Sequence, residues 1–102
     1  MAIIRYFVTD MDEAIAFYTQ KLGFSLEDNF GPFAVVSKED LPLWLSDPRT
    51  SAARPMTDGR IPEPGGWNRL VVQVDDLASL VKKLKAEGTA FRNEIISGVG
   101  GL

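Results

Sequence analysis

Two stretches decide the fold: residues 3–24, IIRYFVTDMDEAIAFYTQKLGF, and residues 69–91, RLVVQVDDLASLVKKLKAEGTAF. The first opens with a run that is β-branched or aromatic at five of six positions, from Ile3 to Val8. Strand alternation puts Ile3, Arg5 and Phe7 on one face and Ile4, Tyr6 and Val8 on the other. Asp10 then reads as a helix N-cap with Glu13 three residues on, a capping-box arrangement. Met11, Ala14, Ile15, Tyr18 and Leu22 follow at helical spacing, and Gly23 supplies a left-handed stop. The second stretch repeats this plan: a strand-like run at residues 69–74, Asp76 as cap, Leu77, Leu80, Val81 and Leu84 as the stripe, and Gly88 as the stop.

The two copies superpose in register. At a constant offset of 66, Ile4 falls on Leu70, Tyr6 on Val72, Val8 on Val74, Asp10 on Asp76, Met11 on Leu77, Ile15 on Val81 and Tyr18 on Leu84; one residue is lost before Gly23 meets Gly88. Agreement over that many positions favours duplication of one unit. Between the copies, strands are expected near residues 24–27, 33–37 and 43–46, separated by Gly31-Pro32 and by a turn at residues 40–42. Residues 89–96 offer one further strand.

Residues 47–66 differ in composition, holding four of the six prolines and three glycines in twenty residues. A run of that kind is a linker or a functional loop. The expected organisation is therefore one domain over residues 1–102, made of a first module at 1–46, a Pro/Gly-rich linker at 47–66 and an incomplete second module at 67–102.

Composition narrows the chemistry. A chain of 102 residues builds one packed core. A net charge of −3 argues against nucleic acid or an anionic membrane as partner, since both need concentrated positive surface. Lys82, Lys83 and Lys85 read as the solvated face of a helix. With no cysteine and no histidine there is no Cys-His or Ser-His-Asp arrangement, no thiolate or imidazole metal site, and the commonest general base at neutral pH is missing. The N-terminal run resembles a first strand rather than a secretion signal, and no apolar run approaches the roughly 20 residues that span a bilayer, so a cytoplasmic location is expected.

The repeated unit resembles the vicinal oxygen chelate superfamily, which includes glyoxalase-type isomerases, extradiol dioxygenases and bleomycin-resistance-type binding proteins. The matching residues are Val8-Thr9-Asp10, Ala14-Ile15-Ala16-Phe17-Tyr18 and Leu22-Gly23-Phe24 in the first copy, with Gly65-Gly66-Trp67-Asn68-Arg69, Val74-Asp75-Asp76-Leu77 and Phe91-Arg92-Asn93-Glu94 in the second. The resemblance implies an α+β fold of paired βαβββ modules, each sheet curled into half a cup, with the second module incomplete. It also implies that active members hold a divalent metal through His or Gln near the start of a module's first strand and Glu on its last. Carried over, those positions are Ile3, Arg69 and, near the end of the first module, Trp44, none a ligand for a hard cation.

The expectation is thus a small-molecule-binding protein without the family's metal, no cofactor and no catalytic residues assigned. The alternative is a metal-dependent lyase, isomerase or dioxygenase of the same superfamily. The candidate ligand-binding residues are Arg5, Phe7, Trp44, Trp67, Arg69 and Gln73. Arginine forks and a glutamine amide among apolar walls suit a ligand with an anionic or carbonyl oxygen. The competing assignment for the arginines is pairing with local carboxylates or reaching solvent at a strand end. Because the second module lacks strands that the family pattern carries, either a second copy of the chain completes the sheet, giving a homodimer, or the chain is a shortened form.

Overall fold

The computed structural model describes residues 2–66 and 70–96, and the chain divides into two compact units, Met1–Asn68 and Arg69–Leu102. The first unit is a complete βαβββ module. Its strands are β1 (Ile4–Phe7), β2 (Ser25–Asn29), β3 (Phe33–Lys38) and β4 (Leu41–Ser46), with helix α1 (Met11–Ala16) between β1 and β2. The sheet order is β1-β4-β3-β2. β1 runs parallel to β4, and the β4–β3 and β3–β2 pairs are antiparallel.

The helix begins where the sequence places it. Asp10 stands in an extended conformation and its carboxylate accepts the Glu13 N–H at 3.1 Å, while Asp12 and Glu13 put negative charge in the first turn, where the helix dipole favours it. The helix then widens into a π-helical turn over Phe17–Lys21. Gly23 ends it with φ of 76°, a left-handed conformation that costs glycine little. Lys38, reaching across from β3, donates from Nζ to the Leu22 carbonyl at 2.9 Å and supplies a cation at the helix C-terminus.

Pleat parity explains the core. The register aligns Ile4 with Leu43 and Tyr6 with Leu45, and Leu43 with Val36 and Leu45 with Ala34. Ala34, Val36, Leu43 and Leu45 have no solvent exposure, and Met11 and Phe24 are nearly as buried. Each fully buried Leu side chain contributes about 1.5–3 kcal/mol, so this helix-covered face carries most of the unit's stabilisation. Tyr18 packs edge-on against Phe24, with ring centroids 5.4 Å apart, and burial, reinforced by Tyr6, raises its phenol above the usual range.

Two local features depart from the expected turns. The β3–β4 hairpin turns at Glu39 and Asp40, with Glu39 at φ 54°, so Pro42 lies inside β4 opposite Ser37. Proline is tolerated there because β1 joins β4 only from Leu43 onward. On the other edge, a bulge between Leu26 and Asp28 interrupts the β2–β3 register. After β4, Asp47 turns the chain and a short 3₁₀ helix, Ser51–Ala53, follows.

The second unit keeps the helix of the repeat, and its described residues form no strand. α2 spans Leu77–Ala86 and is capped by Asp76, whose carboxylate accepts the Ser79 N–H at 3.0 Å and the Ser79 hydroxyl at 2.7 Å. Gly88 is left-handed at φ 87°, and the Thr89 N–H closes the helix on the Leu84 carbonyl at 2.9 Å. Lys85 bridges to Glu94 at 2.8 Å. Residues 70–74 form no strand, which corrects the strand expected at 69–74; Arg69 lies outside the described residues. Residues 89–96 likewise form no strand. A strand needs a hydrogen-bonded neighbour, and the second unit offers none among the described residues. No helix among the described residues is long and apolar enough to cross a membrane.

Candidate functional site

The face of the first unit's sheet opposite the core is built from the other parity of the same strands. Two rows of aligned residues cross it: Arg5, Trp44 and Val35, then Phe7, Ser46 and Phe33. Strand alternation therefore gathers Arg5, Phe7 and Trp44, three of the sequence-derived candidates, on one surface.

Arg5 is the centre of this surface. Its Nη1 donates to Ser46 Oγ at 2.8 Å, a diagonal contact between the two rows. Its guanidinium carbon stands 5.1 Å from the Trp44 ring centroid and 5.8 Å from that of Phe33, both within cation–π range. Phe33 and Trp44 meet at 5.2 Å with an interplanar angle of 83°, so the guanidinium occupies a corner between two nearly perpendicular rings. Phe30 stacks on Phe33 at 5.7 Å and 8°, extending the aromatic surface outward, and it is 64% exposed. Ser46 is fully buried, and among the described residues no buried side-chain polar atom lacks a partner.

Of the competing assignments for Arg5, pairing with a carboxylate does not describe its surroundings, while the residue is exposed to solvent. Among the described residues no carboxylate forms an ion pair with it. A cleft of about 330 Å³ lies beside β1, lined by Arg5, Tyr6 and Phe7 and by Glu63, Pro64, Gly65 and Gly66. Glu63 shares this cleft without pairing with Arg5.

The other three sequence-derived candidates are Gln73, Trp67 and Arg69. Gln73 belongs to the second unit, where it is exposed in irregular chain. Trp67 and Arg69 lie outside the described residues. Three residues of the site escaped the sequence reading: Phe30, Phe33 and Ser46. Phe33 and Ser46 share the parity of Trp44 once the β3–β4 register is known, and Phe30 lies in a turn where periodicity carries no signal.

A wider hollow of about 580 Å³ is lined by Thr9, Asp10, Asp12, Asn29, Asp47 and Arg49, among others. Its polar groups serve local structure. Buried Asp47 accepts the Arg49 backbone N–H at 2.8 Å and its Nε at 3.0 Å, and the Arg49 hydrogen bonds hold the carboxyl below the usual carboxylate range. Asp10 is the α1 cap and Asn29 accepts the Gly31 N–H at 3.0 Å.

Of the positions the resemblance implies for a metal, Ile3 and Trp44 lie among the described residues. Ile3 is an apolar side chain, and Trp44 sits in the aromatic corner with Arg5 beside it, adding a cation where a metal would need anionic oxygen. Among the described residues no three His, Cys, Asp or Glu side chains come together as a metal cluster.

Comparison with known proteins places this geometry. Among solved structures the chain is similar to a bleomycin resistance determinant encoded on the transposon Tn5, at 23% identity over 97% of this chain and 71% of that one, with a TM-score of 0.55. It is also similar to a lactoylglutathione lyase from Agrobacterium tumefaciens, at 21% identity, 90% and 74% coverage and a TM-score of 0.59. A glyoxalase/bleomycin resistance protein/dioxygenase from Nocardioides gives 23% identity, 91% and 66% coverage and a TM-score of 0.62. At these identities the likeness establishes the fold alone. No curated protein matches the chain. The family model described as the Glyoxalase/Bleomycin resistance protein/Dioxygenase superfamily matches residues 1–102. With that match running the length of the chain and the βαβββ module in place, the protein belongs to the glyoxalase/bleomycin resistance/dioxygenase superfamily.

Proposed function

We propose that the protein binds a small organic molecule on the open face of its first sheet and does so without the superfamily's metal. The observation that carries this reading is the Arg5 guanidinium in the corner of Trp44 and Phe33, tied to Ser46 and unpaired with any carboxylate among the described residues. Aromatic walls around one oriented polar group are the usual composition of a small-molecule site. Phe7 belongs to the same surface in this reading, and Trp67, Arg69 and Gln73 remain proposed ligand-binding residues. No cofactor is required, and no residue is assigned a catalytic role. The working form is proposed to be a homodimer.

Calorimetry of the purified protein against a panel of small aromatic and aliphatic compounds tests the reading. Binding is expected for the wild type, with a loss of at least tenfold in Trp44→Ala. Failure of every compound to bind a folded sample would overturn it. Elemental analysis gives an independent check: about one equivalent of divalent metal per chain, with chelator-sensitive activity toward a glutathione hemithioacetal or a catechol, would replace the metal-free reading with an enzymatic one. A monomeric mass in solution would remove the dimer.

A further inference from the structure

The arrangement around Arg5 says more about the ligand than that it is small. Arginine carries five N–H donors in a rigid plane. One nitrogen, Nη1, is fixed by Ser46 Oγ at 2.8 Å, and two rings lie within 6 Å of the guanidinium carbon. These contacts restrict the rotation that a surface arginine otherwise keeps, so less entropy is lost when the remaining donors engage a ligand. A freely mobile arginine would serve any anion equally. One whose plane is set by a buried hydroxyl and an aromatic corner presents its fork in one direction, beside the exposed ring of Phe30 stacked on Phe33.

We propose that Arg5 is an oxyanion clamp selecting a flat ligand that bears a carboxylate on an aromatic ring, with Ser46 as the positioning residue that holds the clamp. The carboxylate takes the free edge of the guanidinium in a charge-assisted pair, and the attached ring lies along the aromatic surface of Phe30, Phe33 and Trp44. Ser46 acts through Arg5: it is buried and its hydroxyl accepts from Nη1. This inference rests on the small-molecule-binding reading above and adds the ligand class and the sign of its charge.

The test uses three probes sharing one ring system on the full chain: 2-naphthoate, its isostere 2-naphthamide, and 2-naphthylmethylammonium. Affinity is measured by calorimetry and the site is reported by the Trp44 indole N–H resonance. The wild type is expected to bind naphthoate at least tenfold more tightly than naphthamide and to leave the ammonium unbound. Arg5→Lys keeps the charge but loses the fork, and should cost about tenfold for naphthoate.

Ser46→Ala should cut naphthoate affinity by a similar factor and naphthamide affinity by much less. A general loosening of the sheet would weaken both probes together, so equal losses would overturn the positioning role. Ser46→Cys, close in volume and with a weaker acceptor, should fall between wild type and alanine and covers the case in which the alanine variant fails to fold. Binding of the amide or the ammonium as tightly as the acid would overturn the clamp while sparing the small-molecule reading. Binding of none of the three, with the wider panel also silent, would overturn both.

Discussion

The two copies of the repeat share a cap, a stripe and a stop, yet among the described residues only one of them has a strand. Asp10 and Asp76 both accept the N–H three residues on, and Gly23 and Gly88 are both left-handed. Upstream of these caps, Ile4–Phe7 pairs along β4, whereas residues 70–74 are irregular. The contrast separates what a segment determines alone from what it needs a neighbour to complete. A helix closes its hydrogen bonds within itself, and caps reach only three residues. A strand points its N–H and C=O groups sideways, and β1 has one side paired only because β4 returns some 39 residues later.

The largest test of this contrast is in the packing. Leu45→Ala, at a position with no exposure, should lower the unfolding free energy by about 2–5 kcal/mol in a denaturant titration. Leu84→Ala in α2 should cost less, because Leu80 and Val81 on the same stripe are only half-buried and Leu77 is 49% exposed. Equal losses would mean that the second unit carries a core as firm as the first.

Val8 and Val74 occupy matching positions in the repeat and give the next effect. The Val8 N–H donates to the Ser46 carbonyl at 2.8 Å, so Val8→Pro should leave that acceptor unpaired and cost about 1–3 kcal/mol. Val74→Pro should stay within about 0.5 kcal/mol, since no ladder runs through it. A large penalty at Val74 in thermal melts would reveal a strand there and erase the asymmetry.

The caps should behave alike, which sharpens the comparison from the other side. Asp10→Ala is expected to cost about 1 kcal/mol, and Asp76→Ala to strip amide-exchange protection from the first turn of α2.

The smallest expected effect is in acid. The Ser79 backbone N–H, with help from its hydroxyl, holds the Asp76 carboxyl below the usual range. A carboxyl whose folded value is depressed stabilises the fold above its unfolded value of about 4, and the contribution is lost as pH falls through the lower, folded value. Helical circular dichroism and Ser79 amide protection should therefore decline together as pH drops below about 4. Asp76→Asn should start lower and flatten that response.

Much of the first module could be read from residue types. Asp10, Gly23, and the stripe of Met11, Ile15 and Tyr18 act as local signals and fold as read, and the parity of Arg5 and Phe7 followed from alternation alone. The site was half legible for the same reason. Arg5 and Trp44 were found from their strands, but their meeting with Ser46 and Phe33 depends on a register set across β1, β4 and β3, which no single segment encodes. Phe30 was invisible because it reaches the site through a turn. The run at residues 70–74 was misread because a β-branched segment reads as a strand whether or not anything lies beside it.

The bulge between Leu26 and Asp28 has a bearing on how the protein behaves in concentrated solution. β2 is an edge strand exposed at all five positions, the kind of segment onto which another molecule can add and seed aggregates. The irregular register bends its outer hydrogen-bonding line, and Glu27 and Asp28 place charge at the break, so an incoming strand meets neither a straight template nor a neutral one. Glu27 also accepts the Ser37 hydroxyl at 2.7 Å, which ties the kinked edge to its inner neighbour. The same few atoms that shape this rim of the sheet thus make it a poor template for an added strand.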